Sequence, residues 1–238
     1  MNPIKEKTTK LLDLFRVKYA YSAYEEKFTQ YIPLEWQEKR WIGACNPHSF
    51  ILVAECEENK MPDPEKKVVN LQGILPQSIL FEAEMDQKEL IRQWKSVPTI
   101  ETDQKTQCPS CEGEGRFDHW GDTYDCQHCE ETGEIKTNRK IKIKDPKYTF
   151  YIDGKLLTTD KIEKMVTTID MLQSEKISYM VTNGNKSLAL FCLEGEIIVG
   201  LARWLPLEDN DVDSEKIIDL SAKCIKMQDL ETIEVMRN

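Results

Sequence analysis

Histidine is nearly absent from this chain, with three in 238 residues. None of the three stands in a nucleophile or metalloprotease motif. The chain has no G-x-x-x-x-G-K-[ST], no G-x-S-x-G, no G-x-G-x-x-G and no H-E-x-x-H. These absences argue against nucleotide hydrolysis, acyl transfer and zinc proteolysis, and we expect a non-enzymatic protein. Long apolar runs are missing too. No stretch of about eighteen apolar residues exists, and the first thirty residues hold no signal-type core. The expectation is a soluble, cytoplasmic protein with no membrane partner. Glycine and proline are scarce at ten each, and the balance of 40% hydrophobic to 31% charged residues is that of a globular chain. Positive charge is in deficit, 32 Lys and Arg against 42 Asp and Glu, for a formal charge of −10. Such a surface repels nucleic acid as a whole, so any DNA contact needs a local basic face. The length leaves room for one large domain or two ordinary ones.

Cysteine is the residue present in excess of need, at eight. Four of them form two C-x-x-C knuckles, Cys108-Pro109-Ser110-Cys111 and Cys126-Gln127-His128-Cys129, fourteen residues apart. This spacing fits a four-thiolate zinc site. Each tight turn brings two sulfurs to one side of a loop, and two turns supply four soft ligands at tetrahedral corners. Such a shell is closed and has no position for a substrate or a catalytic water. Gly113, Gly115 and Gly133 follow the knuckles, where positive φ lets backbone N–H groups turn toward the thiolates. The competing readings are a redox dithiol and a disulfide pair, and nothing in the chain suggests the oxidising compartment that structural disulfides need. His119 and His128 are left out of the ligand set because four cysteines fill the shell. Cys45, Cys56, Cys192 and Cys224 lie among apolar neighbours and read as buried reduced thiols.

The knuckles resemble the C-x-x-C-x-G-x-G repeat of the cysteine-rich domain of DnaJ-type chaperones. Cys108, Cys111, Gly113 and Gly115 match it in full. The second repeat keeps Gly133 but has Glu130 and Glu131 after Cys129, so its first glycine is missing. The family module has four repeats and two zincs; two repeats here imply one structural Zn2+. The resemblance covers about a tenth of the chain. A chaperone-like or protein-interaction module is the function it implies, although the His-Pro-Asp tripeptide of the J-domain is absent.

Around this module the pattern is α+β. Apolar positions from Leu11 to Tyr31 recur at helical spacing, which predicts a helix over 4–32 with a modest excess of lysine near its start. That excess is either a solvated face or a binding face. Short strand-like runs at 41–45 and 50–54 flank the turn Asn46-Pro47-His48-Ser49. Val68–Leu75 is a further apolar run, and a short helix is predicted around Leu90, Ile91 and Trp94. Residues 98–107 read as a polar connection, and 116–124 as a hairpin turning at Gly121. In the second half the pattern predicts a strand at 148–152 and a turn at Asp153-Gly154. A helix to Leu172, capped by Thr159 or Asp160, comes next. Three strands follow, with Asn183-Gly184 and Glu194-Gly195 as turns. Asp209, Asp211 and Asp213 mimic a calcium loop, but Ser214 and Leu220 stand where its glycine and glutamate belong. Residues 215–236 are predicted as a last amphipathic helix.

Basic residues gather just past the module. Lys136, Arg139, Lys140, Lys142 and Lys144 lie on one strand, with alternation setting Lys140, Lys142 and Lys144 against Ile141 and Ile143. The module itself holds eight carboxylates and one arginine between Cys108 and Glu134. The lysine strand is therefore the candidate for phosphate contact; the alternative is that its lysines solubilise an edge strand.

The second half is similar to one domain of a bacterial sliding clamp, the DNA polymerase III beta subunit. Phe150-Tyr151-Ile152-Asp153-Gly154-Lys155-Leu156-Leu157, the helix after it, the Asn183-Gly184 hairpin and the closing Gly200-Leu201-Ala202-Arg203-Trp204-Leu205-Pro206 carry the resemblance. Ala44-Cys45-Asn46-Pro47-His48-Ser49-Phe50 echoes a clamp turn that reads Ala-Thr-Asp-Gly-His-Arg-Leu, without its Asp, Gly and Arg. The resemblance implies two clamp-like helix-plus-antiparallel-sheet units, 1–100 and 141–238, around a zinc module at 101–140. It implies a DNA-associated protein resembling a processivity factor, with double-stranded DNA and replication or other proteins as partners. Two units are too few to encircle a duplex, so it further implies a homo-oligomeric ring or a non-ring adaptor.

Overall fold

The computed structural model describes residues 3–17, 23–65, 67–77, 81, 83–119, 122–182, 188–202, 214–221 and 224–226. Its first half runs α1 (Pro3–Asp13), α2 (Ala23–Glu26), β1 (Ile32–Trp36), β2 (Lys39–Asn46), β3 (Ser49–Ala54), β4 (Ala83–Asp86) and α3 (Gln87–Ser96). An arm follows: β5 (Thr99–Gln107), β6 (Arg116–His119), β7 (Asp122–Asp125) and β8 (Glu134–Lys144). The second half is β9 (Thr149–Ile152), β10 (Lys155–Thr158), α4 (Thr159–Leu172), β11 (Lys176–Val181), β12 (Leu188–Leu193), β13 (Ile197–Ala202), β14 (Ile217–Asp219) and β15 (Cys224–Lys226). The fold is α+β.

One eight-stranded sheet has the order β1-β2-β3-β13-β12-β11-β4-β15, all neighbours antiparallel. The order is a palindrome at its centre. Each half contributes a helix and then three consecutive hairpin strands, and the last strand of each triplet pairs with the other. The β3–β13 register runs from Val53 opposite Ile197 to Ser49 opposite Leu201. A smaller sheet, β10-β9-β14, packs against α4.

Strand alternation sorts the side chains between two cores. In β3, Ile51 and Val53 point to one core and Phe50 and Leu52 to the other. The first core gathers Leu11 and Leu12 from α1, Phe15 from the turn after it, Leu90 from α3, Ile162, Met165 and Ile169 from α4, and Phe150, Ile152 and Leu157 from the small sheet. The second is covered by Phe28 and by Leu71 and Leu75 around a single 3-10 turn, which the apolar run at 68–75 becomes. Gly200 sits where a Cβ would run into the Phe50 ring across the β3–β13 pair. The Asp153-Gly154 turn joins β9 to β10, with Asp153 at φ 41° and Gly154 at φ 86°. The buried Tyr179 hydroxyl donates to Asp153 Oδ2 at 2.8 Å and ties that turn to β11.

Several expectations need correction. The helix expected over 4–32 ends at Asp13. There the chain folds back: Arg16 bonds Asp13 at 2.5 Å and the Thr29 carbonyl at 3.1 Å, and the Val17 N–H donates to the Phe28 carbonyl. The apolar spacing continues because the two pieces serve different cores. The helix start expected at Thr159 or Asp160 has Thr158 as its N-cap residue. In the stretch 98–107, read as a connection, Thr99–Gln107 is a strand. Residues 217–219 and 224–226 are strands, not helix: β14 adds to β9 in parallel and β15 closes the sheet edge at β4. Cys56 is exposed beside a turn, whereas Cys45 is buried, its thiol pushed up to about 12 by desolvation. The Asn183-Gly184 hairpin, Gly121, Trp204, most of the acidic 208–215 segment and residues 227–236 lie outside the described residues, as does the side chain of Cys224. Among the described residues, no helix is long and apolar enough to cross a membrane.

Candidate metal centre

The arm is a two-stranded ribbon, β5 with β8, that ends in a head carrying the β6–β7 hairpin. Its strands bury little: neither β5 nor β8 has a fully buried residue. The head is held instead by Cys108, Cys111, Cys126 and Cys129. All four are buried, and their sulfurs lie within 4.8 Å of one another. Cys108 and Cys126 Sγ are 3.8 Å apart, and Cys111 and Cys129 Sγ 3.6 Å apart. These separations are far beyond a disulfide bond. They fit a tetrahedron with metal–sulfur bonds of about 2.3 Å, whose corners lie about 3.8 Å apart. Four soft sulfur donors in that arrangement suit zinc.

The two knuckles are near copies that hold one another. Cys108 N–H donates to the Gly133 carbonyl at 2.8 Å, and Cys126 N–H to the Gly115 carbonyl at 2.7 Å. Gly115 N–H points at Cys111 Sγ and Gly133 N–H at Cys129 Sγ, each at 3.2 Å. These bonds stabilise thiolate over thiol. A Cβ on Gly115 would strike the Glu131 carbonyl, and one on Gly133 the Gly113 carbonyl. Both glycines also have positive φ, 72° and 73°, so no other residue fits. The missing glycine has a visible cost: Glu131 takes φ 66°, the left-handed region that Gly113 occupies at φ 89° in the first knuckle.

Burial would raise the Cys108 thiol, but hydrogen bonds from the Cys111 and Ser110 backbone and from neighbouring thiols outweigh it and lower it to about 6. Cys129 is pushed up, by burial first and then by its sulfur neighbours. His128 is a neighbour of the cluster, not a member. Its Nδ1 lies 2.7 Å from Ser110 Oγ and 3.8 Å from Cys108 Sγ. Ile135 packs against the cysteines from the ribbon side.

The lysine strand is β8, and its partner was hidden in the polar stretch before the first knuckle. Register sets Lys140 opposite Asp103 and Lys142 opposite Glu101. Lys140 Nζ lies 2.5 Å from Asp103, and Lys136 Nζ 4.0 Å from the same carboxylate. The Lys140 ammonium bonded to it holds the Asp103 carboxyl below its ordinary range. Lys144 caps α3: its Nζ donates to the Lys95 and Val97 carbonyls at 3.0 and 2.7 Å and sits 4.9 Å over the Trp94 ring. Arg139 is exposed in the bulge between the two paired stretches. Phe117 and Tyr124 do not cover the metal cluster; they stack on each other, centroids 6.2 Å apart, and are about half exposed.

No family model and no curated protein matches the chain. Among solved structures it is similar to DNA polymerase III subunit beta from Borrelia burgdorferi, determined in complex with a natural product. The TM-score is 0.41 at 10% identity, over 84% of this chain. The chain spans 62% of the length of that subunit. A likeness at this level assigns no residue and no partner, and the four-cysteine centre stands on its own geometry.

Proposed function

We propose that this chain is a non-enzymatic, DNA-associated protein of the sliding-clamp kind that carries one structural zinc on an arm. The observation that carries the reading is the palindromic sheet, with two helix-plus-three-strand halves joined at β3–β13. The resemblance of 150–157 and 200–206 to a sliding-clamp domain supports the same reading. A protein of this kind works by topology together with phosphate contacts from lysine and arginine, so a chain acidic overall associates with DNA through a local basic face. Two halves do not surround a duplex, so the reading calls for a ring of several copies or for a non-ring adaptor. Zinc on Cys108, Cys111, Cys126 and Cys129 would fix the fold of the head. Four thiolates complete its shell, so its role there is structural.

Light scattering of the zinc-loaded chain, alone and with a short duplex at low and moderate salt, tests the reading. A multimer whose DNA association weakens steeply with salt is expected, because phosphate contacts release counterions. A monomer indifferent to duplex at low salt would sink it. Lys142→Glu with Arg139→Glu then asks whether the β8 cations share in that binding.

A second reading has a specific observation in its favour. Asp103 faces Lys140 and Lys136, and Glu101 faces Lys142, so the lysine face of the ribbon is internally compensated. On that basis the arm is a zinc-stabilised protein-docking element with no DNA role. It expects wild-type DNA behaviour from the β8 charge reversals.

A further inference from the structure

We propose, resting on the protein-docking reading of the arm, that the aromatic face of the β6–β7 hairpin receives an arginine-bearing segment of another protein, with Phe117 and Tyr124 as the platform on which guanidinium groups stack. Register sorts the hairpin into two faces. Phe117 stands opposite Tyr124 and His119 opposite Asp122, and these two pairs share one face; Arg116–Asp125 lies on the other. Among the described residues, six large hydrophobic side chains are exposed, and the aromatic ones are this pair. The two rings lie 23° from parallel with centroids 6.2 Å apart. They form one offset aromatic surface and stay outside the cysteine cluster, against which Ile135 packs.

Charge decides what can stack there. Exposed rings take two kinds of flat ligand, a nucleic-acid base or a guanidinium. The head from Cys108 to Glu134 holds eight carboxylates against one arginine, and zinc with four thiolates adds about two further negative charges. Arg116 bridges Asp125 at 3.6 Å on the far face, while Asp122 is exposed on the face of the rings. A compact unit of that length has a radius of gyration of about 8 Å, and the screening length at physiological salt is also about 8 Å. The carboxylates of the head therefore act together on a ligand at the rings. They repel the phosphates that accompany a base and attract a cation. Arginine fits better than lysine, because its planar guanidinium lies flat on a ring while its edge bonds a carboxylate such as that of Asp122.

Fluorescence anisotropy of a labelled hexa-arginine peptide, titrated with the zinc-loaded full chain at low and moderate salt, tests this. Binding that weakens as salt rises is expected, about fivefold tighter than that of hexalysine. Phe117→Leu with Tyr124→Leu keeps apolar bulk in the hairpin and is expected to weaken hexa-arginine about tenfold, while zinc content stays at one per chain. Asp122→Asn, at an exposed position, is expected to weaken it less and serves where the leucine variant loses its metal. Hexa-arginine binding that both variants leave unchanged would overturn the inference, since it would be the attraction of any acidic surface. So would equal affinity for hexalysine, or a labelled oligothymidine that binds as tightly and is lost in the leucine variant. Sedimentation of the chain alone covers the remaining occupant: a dimer abolished in the leucine variant would give the rings to a second copy and overturn the inference as well. Failure here, with wild-type DNA behaviour of the β8 charge reversals, would leave the arm a docking element that uses another surface.

Discussion

The body and the arm use the same hydrogen-bonded strands and are held by different forces. In the body, β3 alternates between two apolar cores, and Ile51, Leu52, Phe191 and Val199 are almost wholly hidden. In the arm, β5 and β8 hide almost nothing, and the apolar centre of the head is four cysteines and Ile135. Hydrophobic burial needs enough chain to surround its own interior. A head of fewer than thirty residues cannot do this, and four cysteines placed to hold a metal stand where the core would be. The lesson is that one chain contains two solutions to the same problem, and they should fail separately.

The largest effect expected is on the arm. Cys126→Ser, or a strong chelator, should remove the metal completely and unfold the head, while the tryptophan environments of Trp36 and Trp41 in the body stay native. Metal analysis with circular dichroism reads both. Acid should act in the same direction: the ligands must be thiolates, so protons compete as pH falls, and metal leaves with net proton uptake. A body that melted together with metal loss would break the comparison.

The converse substitution lies in the body. Phe191→Ala, beside the Tyr179 ring, should destabilise the global transition by about 3–5 kcal/mol in a denaturant melt. Under native conditions its metal content should not change. Gly200→Ala is the next step down, because its Cβ would displace the Phe50 ring. Overpacking of that kind costs about 1–3 kcal/mol. The smallest effect is a gain. Glu131→Gly relieves the left-handed strain in the second knuckle and should strengthen the head by about 1 kcal/mol, read as slower metal transfer to a competing chelator. Unchanged transfer would mean that the strain is absorbed elsewhere.

What was legible in the sequence divides along the same line. The four-cysteine cluster could be read from the sequence, because its members lie in two short segments and its glycines answer local demands. The strands around Asn46–Ser49 and the helix ending at Leu172 could also be read, since periodicity is a local signal. The partner of β8 was hidden, because Thr99–Gln107 buries nothing and so shows no apolar alternation. Without that partner, Lys140 looked like a free cation; Asp103 lies thirty-seven residues earlier in the chain. The C-terminal strands were missed for a related reason. Ile217–Asp219 and Cys224–Lys226 are strands only because β9 and β4 offer edges, and a segment's own periodicity carries no record of its neighbours.

The root of the arm has a consequence for how the molecule is assembled. Asp145 N–H donates to the Pro98 carbonyl at 2.9 Å, and Thr99 stands opposite Lys144. The chain thus leaves the body and returns to it at nearly one point. For the body, everything from 99 to 144 is a single closed loop, and loop-closure entropy grows only logarithmically with length. The body can therefore fold before, after or without metal capture. The arm could also be replaced by a short turn between α3 and β9 at little cost to the sheet.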